Sequence, residues 1–360
     1  MGAYFRGDMS VNKYCRRLKV LPLAAFCVLL FTMQACDSDN DAPDVSDVKL
    51  SLNTQRFDRD IAEIDTQRIP EGLVALHKKY PDFLDFWLDN LMQFGVNGHY
   101  SDTAIGVHEH LRTFLTYKDF RGLFDTVAKH FPDTRSIDEP LERGFQYYKH
   151  YYPQRGVPKV IYFVSGLNNW SAVTVDTSVL AIGLDMFLGA GYPFYKSVGI
   201  PDYMYQQLRL QSAPVFGFRA IYQDSHPFVI ENKSLLDLMV QRGKEQYFLA
   251  KMLPFVPDAT RLGFSDAQTE WCYKNEALVY NFFVKGSMLY ETNWGKILRY
   301  VNDGPSAAGM PSESPGNVGT WLGWQIVKAY AAKHPKLGLE ELFAIKDAQV
   351  ILQEGGYKPR

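Results

Sequence analysis

Charged and hydroxyl-bearing side chains that stand in apolar stretches are the first candidates for chemistry in this chain. Asp185 follows a hydrophobic run in "AIGLDMFLG", and Arg242 and Glu245 are three residues apart in "LMVQRGKEQYF". Burying a charge is costly unless the charge is paired. These residues therefore form either core ion pairs or a cleft for a ligand or partner, and both interpretations stay open. The candidate cleft residues are Asp185, Arg209, Arg242, Glu245, Glu276 and Ser314.

Ser314 opens the segment "SPGNVGTWLGWQIVKAY", whose glycines and tryptophans predict a tightly packed helix. We expect Ser314 to cap this helix, with Pro315 in the first turn, where a missing amide hydrogen is harmless. Gly319 and Gly323, four residues apart, allow another element to approach the backbone closely. Packing explains most of the motif, and recognition by the free amides at the helix start is the alternative.

Motifs for metal binding and nucleophilic catalysis are missing from the sequence. The eight histidines include no HExxH, which would place two imidazoles one turn apart on one helix face. His108 and His110 are two residues apart and would point away from each other on a helix. No GxSxG and no phosphate-binding glycine loop occur, and Cys272 fits a buried helical position. The sequence predicts no catalytic residue, no metal and no cofactor.

The N-terminus has the pattern of a bacterial lipoprotein signal. A basic patch precedes the apolar run Val20–Met33, which is too short to span a membrane and ends shortly before Cys36. We expect residues 1–35 to be a signal peptide and Cys36 to be lipidated; a plain signal peptide is the alternative. The aspartate-rich residues 36–48 predict an acidic tether, followed by a single globular domain over residues 49–360.

The chain after the signal is acidic and rich in aromatic residues. Without the five basic and one acidic residues of the signal, it has 33 basic and 39 acidic residues, a net charge of −6. No basic cluster remains, which argues against nucleic acid as a partner. Only Cys36 and Cys272 are left, so no internal disulfide is expected and the core alone must stabilise the fold.

The hydrophobic periodicity predicts an α+β fold that is mainly helical. Helical spacing runs from residue 70 to 150, and three β-branched or aromatic runs between 158 and 189 predict a small antiparallel β-meander. Further helices are predicted at 202–223, 233–251, 265–288, 315–332 and 338–346.

Several segments, in order, resemble the GldB type of gliding-motility lipoprotein. They include "SVLAIGLDMFLGAGYPFY", "PDYMYQQLR", "NEALVYNFFVKGSMLYETN" and "SPGNVGTWLGWQIVKAYAAKHP". The resemblance implies a distant relation to gluzincin-like zinc peptidases, in which one helix carries HExxH and a later helix a glutamate ligand. Here "LRLQSAPVFGFRAIYQ" has no histidine, and Arg242 stands before Gly243 where that glutamate is expected. The resemblance thus implies a degenerate peptidase-like scaffold, with the Asp185 strand at an edge that would align an extended substrate.

The implied function is that of a non-enzymatic, membrane-anchored envelope lipoprotein, a pseudo-peptidase serving gliding motility or type IX secretion. Its expected partners are the membrane, through the lipid anchor, and other envelope proteins of that machinery. We expect it to face the periplasm or to lie at the outer membrane. An active metallopeptidase with unrecognised ligands and a solute- or glycan-binding lipoprotein are the alternatives, the second because 14% of the residues are aromatic.

Overall fold

Runs of β-branched and aromatic residues form a four-stranded sheet in the order β1-β2-β4-β3. The strands are β1 (Thr54–Arg56), β2 (Lys159–Phe163), β3 (Ala172–Val175) and β4 (Val179–Gly183). β2 pairs in parallel with both β1 and β4, and β3 pairs antiparallel with β4. The computed structural model describes residues 42–95, 99–101 and 105–359, so the predicted signal peptide and Cys36 lie outside the described residues.

The antiparallel meander predicted for residues 158–189 is only partly correct, because the central pair β2–β4 is parallel. β4 is buried along its whole length, and β2 along all but its first residue, as is typical of parallel strands covered on both faces. β1 has only three residues and was not predicted. Since β4 lies between β2 and β3, the expectation that the Asp185 strand forms a free edge is wrong.

Helices make up most of the described residues, which confirms the α+β class and its mainly helical character. They are α1 (Phe57–Ala62), α2 (Ile69–Lys79), α3 (Leu84–Phe86, continued by a π-helical turn at Trp87–Leu91), α4 (Ile105–Thr116), α5 (Lys118–His130), α6 (Arg135–Tyr151), α7 (Phe194–Ser197), α8 (Ala213–Ser225), α9 (Leu235–Met252), α10 (Asp258–Leu262), α11 (Asp266–Lys274), α12 (Glu276–Lys285), α13 (Trp294–Ile297), α14 (Val318–Lys333), α15 (Leu339–Ala344) and α16 (Ala348–Gly355).

The helix boundaries differ from the predicted ones where local chemistry interrupts the periodicity. The segment predicted as helical from 202 begins with 3₁₀ turns at Asp202–Gln207 and Leu210–Ser212, before α8 starts beside Pro214. The helix predicted at 265–288 is split at Asn275, whose side-chain amide donates to the Trp271 carbonyl and ends α11. α16 was not predicted.

α9 and α14 cross at a point where their backbones touch. A Cβ built on Gly323 would lie 1.8 Å from the carbonyl oxygen of Met239, and one on Gly243 would lie 2.2 Å from the Gly323 carbonyl carbon. Trp321 on α14 is fully buried. Close packing is therefore the structural role of the glycine- and tryptophan-rich segment, since any side chain at the crossing would force the helices apart.

Residues from Pro43 onward form one compact unit. Within the predicted acidic tether, Val45 is buried and the Val48 carbonyl accepts a 3.1 Å hydrogen bond from the Gln146 side chain. This described part of the tether thus packs against the rest of the unit. Among the described helices, none combines the length and the apolar character that crossing a membrane requires.

Candidate functional site

Three polar side chains on α8 and α9 contact one buried carboxylate, that of Glu245. Glu245 is only 4% exposed. Its Oε1 lies 3.1 Å from Nε of Arg219, and its Oε2 lies 3.3 Å from Nη1 of Arg242. Gln223 donates a 2.9 Å hydrogen bond from Nε2 to the same Oε2. These four residues, here called the Glu245 cluster, are brought together because Arg219 and Gln223 share one face of α8, four residues apart.

The Glu245 cluster contains a single carboxylate and no imidazole that could hold a zinc ion. Arg219 and Gln223 are separated as the two histidines of HExxH are, and they contact a glutamate on a later helix. A guanidinium has only donors and a permanent positive charge, so it cannot ligate Zn²⁺. The residues present therefore do not fit a zinc ion. In residues 42–95, 99–101 and 105–359, no group of three or more His, Cys, Asp or Glu is placed to hold a metal.

Packing fixes the orientation of Arg242. Its guanidinium carbon lies 3.9 Å from the ring centroid of Phe228, a cation–π contact that holds the cation over an aromatic face. Burial raises the pKa of the neighbouring Tyr222 hydroxyl, and the charge on Glu245 raises it further. Arg242 and Glu245 are the two predicted cleft residues that contact each other, and they do so as an ion pair within α9, three residues apart.

Asp185 lies in the protein interior and organises a loop. Its fully buried carboxylate accepts hydrogen bonds from the backbone amide of Ser165 at 3.0 Å, the Ser165 hydroxyl at 2.9 Å and the Leu167 amide at 2.7 Å. Burial raises the pKa of Asp185, while these donors act in the opposite direction. Leu167 and Asn169 adopt positive φ values of 62° and 63°, so the carboxylate holds a loop of unfavourable backbone conformation.

Glu276 and Ser314 also have partners of their own. Glu276 accepts a 2.6 Å hydrogen bond from the Tyr357 hydroxyl. Ser314 is fully buried, donates to the Pro311 carbonyl at 2.6 Å and accepts from the Ala307 amide at 3.2 Å. The predicted cap is wrong, because α14 begins only after Asn317 and the Ser314 hydroxyl stabilises the preceding loop instead.

Two adjoining cavities of about 570 and 590 Å³ open on the protein surface. Both cavities are lined by Gln206, Gly263, Phe264 and Ser265. The first is completed by residues from four segments, 202–207, 263–275, 303–304 and 312–317. The second adds residues 257–260, Asp266 and Arg209. We call the first cavity the acidic groove.

Of the six predicted cleft residues, Arg209 lines the cavity that adjoins the acidic groove, and the other five line neither cavity. The residues just before α14, Pro315–Asn317, line the acidic groove itself. The residues that lead into α14 thus line this cavity, although Ser314 itself does not, and none of the residues opposite them was predicted from the sequence. Those residues come from the 3₁₀ turn at Asp202–Gln207, from α11 and from separate loops, and only the tertiary fold brings them together.

The acidic groove carries more negative than positive side chains. Asp202, Glu270, Asp303 and Glu313 line it together with a single lysine, Lys274. Lys274 forms an ion pair with Glu270. Asp303 accepts a 2.8 Å hydrogen bond from the Asn317 side chain, which fixes its carboxylate at the groove wall.

Comparisons with curated proteins and with solved structures gave no match. A family model described as gliding motility protein GldB matches residues 38–359. The match includes α8, α9 and α14 and all four segments of the acidic groove. Because it covers nearly the whole chain, this protein belongs to the GldB family of gliding motility proteins.

Proposed function

We propose that this protein is a non-enzymatic lipoprotein, anchored in the cell envelope through Cys36, that serves gliding motility or type IX secretion. Membership of the GldB family supports the motility association. The basic patch, the apolar run and the cysteine that follow one another at the N-terminus support the lipid anchor. In such an anchor, acyl chains such as palmitate enter the membrane. The proposed location is the periplasmic side of the envelope or the outer membrane, with other envelope proteins as partners.

The observation that carries the non-enzymatic assignment is the Glu245 cluster. Its one carboxylate, Glu245, is already occupied: Arg242 and Gln223 donate hydrogen bonds to it, and Arg219 forms an ion pair with it. Binding a dication there would require these contacts to break and would place the ion beside Arg219 and Arg242. Coulomb repulsion in a buried site opposes this strongly, because the effective dielectric constant is far below that of water.

Zinc content and peptidase activity test this assignment. A zinc peptidase generates its nucleophile by lowering the pKa of a metal-bound water. The protein purified from zinc-supplemented cells should therefore contain substoichiometric zinc by elemental analysis and leave generic peptide substrates intact. The double variant Arg219→His/Gln223→His supplies two imidazoles at the same spacing and is the matched comparison for zinc uptake. Near-stoichiometric zinc in the wild type, with chelator-sensitive cleavage, would establish the metallopeptidase alternative.

A further inference from the structure

We propose that the acidic groove binds a lysine- or arginine-bearing polypeptide segment of a partner protein. The inference rests on the proposed function in one respect only, that the partner belongs to the same envelope machinery. It names the chemistry by which that partner would be recognised: positive side chains together with a peptide backbone.

The charge of the groove is the first argument. Within the described part of the chain, no ion pair involves Asp202, Asp303 or Glu313, and the one lysine at the groove already pairs with Glu270. Carboxylates gathered around one cavity repel each other, and a cationic ligand would relieve that repulsion. The same charges disfavour nucleic acids, phosphates and acidic peptides.

A buried amide in the groove wall is the second and independent argument. Gln207 is only 6% exposed and lines the cavity, yet its side chain makes no hydrogen bond to another described residue. It lies against Gly263, where an added Cβ would be 2.6 Å from Cδ of Gln207. The two amide atoms of Gln207 remain accessible from the groove, so a ligand there can supply the hydrogen-bond partners that the described residues do not. A peptide bond offers one donor and one acceptor, the complement of a glutamine amide.

Aromatic rings and a fixed wall complete the site. The half-buried Trp271 and the exposed Tyr203 both line the groove and offer ring faces to a cation. Ser265 and Gln268 form reciprocal hydrogen bonds at the start of α11, which hold that wall in place without a ligand. A preformed wall lowers the entropic cost of binding. The volume of about 570 Å³ lies within the roughly 300–1,000 Å³ typical of ligand pockets.

Fluorescence anisotropy with the full-length protein in mild detergent tests the inference. The probes are three labelled peptides of equal length, one rich in lysine and arginine, one in aspartate and glutamate, and one in serine and glutamine. We expect the basic peptide alone to bind, with affinity that falls as salt is added. Asp303→Asn/Glu313→Gln should weaken binding about tenfold. Glu231→Gln, which removes an exposed charge outside both cavities, should leave binding unchanged.

A second variant separates recognition of the backbone from the charge effect. Gln207→Leu keeps a side chain of similar size but removes the amide. It should therefore weaken binding of the basic peptide without changing the salt dependence of that binding. Thermal unfolding of each variant checks that the fold is intact. Binding of neutral oligosaccharides in place of the basic peptide, or equal binding by the wild type and the groove variants, would overturn the inference. Zinc content reports on the proposed function separately, so the two failures are distinguishable.

Discussion

The crossing of α9 and α14 leads to a prediction with a worked magnitude. In Gly323→Ala the new Cβ would lie 1.8 Å from the carbonyl oxygen of Met239 and 2.4 Å from its carbonyl carbon. Ordinary contact begins at 3.4 Å, so the two helices would have to separate by about 1.6 Å. The atoms that the new Cβ would meet belong to the backbone of α9, and they cannot rotate away as the end of a flexible side chain can.

The free-energy cost of separating the helices exceeds the stabilisation that alanine usually gives a helix. Replacing a helical glycine by alanine stabilises by about 0.5–1 kcal/mol. A gap of that size along the interface removes much of the dispersion energy between the helices, and overpacking costs about 1–3 kcal/mol or more. We expect a net loss of about 2 kcal/mol in the free energy of unfolding, and a melting temperature lower by about 4–8 °C.

Circular dichroism during thermal and urea unfolding measures this effect. Gly122 on α5 is the matched control, because a Cβ built there has no atom within 4 Å. Gly122→Ala should stabilise the protein by about 0.5–1 kcal/mol through helix propensity alone. If Gly323→Ala unfolds at the same temperature as Gly122→Ala, the backbones do not touch at this crossing and the packing argument is refuted.

Two further predictions concern a buried cation and the lipid anchor. Lys244 donates to the carbonyls of Phe343 and Ile345, and burial lowers its pKa to about 8. Between about pH 8 and 10.5, the pKa of the lysine in the unfolded chain, the unfolded state binds more protons than the folded state. The free energy of unfolding of the wild type should therefore rise with pH by up to about 3 kcal/mol relative to Lys244→Met. Equal pH profiles of the two proteins in urea unfolding would contradict this. Cys36→Ser should abolish incorporation of a fatty-acid probe and release the protein from membranes, whereas Cys272→Ala should not; labelling that persists in Cys36→Ser would exclude the lipoprotein assignment.

The elements that could be predicted from the sequence are those with long, uninterrupted periodicity. The helix predicted at 233–251 is α9, observed at Leu235–Met252, and its start is fixed locally by the Ser234–Asp237 capping box. The run at 158–165 contains β2, but its parallel pairing with β4 depends on contacts across the sheet that periodicity does not encode. β1 is too short to produce an alternating pattern.

The candidate site was harder to predict, because a charged residue in an apolar stretch can be either a core residue with internal partners or part of a binding site. Asp185 and Glu245 do occupy buried positions, and their neighbours satisfy them there. The carboxylates of the acidic groove stand in loops, in a 3₁₀ turn and on the exposed face of α11, where a single sequence gives no reason to separate them from ordinary surface charges. Asp202 and Asp303 are about a hundred residues apart and line one cavity only in the folded chain.

The contrast between the two sites supports recognition at the groove. At the Glu245 cluster, guanidinium groups from both helices surround the carboxylate, so the cluster links α8 to α9 as a shared metal ion would in a peptidase. The Glu245 carboxylate is thereby engaged within the protein. At the acidic groove, Asp303 and Glu313 remain without ion pairs and Gln207 without a hydrogen-bond partner among the described residues. A ligand forms polar contacts most readily with groups that the fold leaves without partners. Among the described residues, the acidic groove combines such groups with a cavity that a ligand can enter, beside the residues that lead into α14.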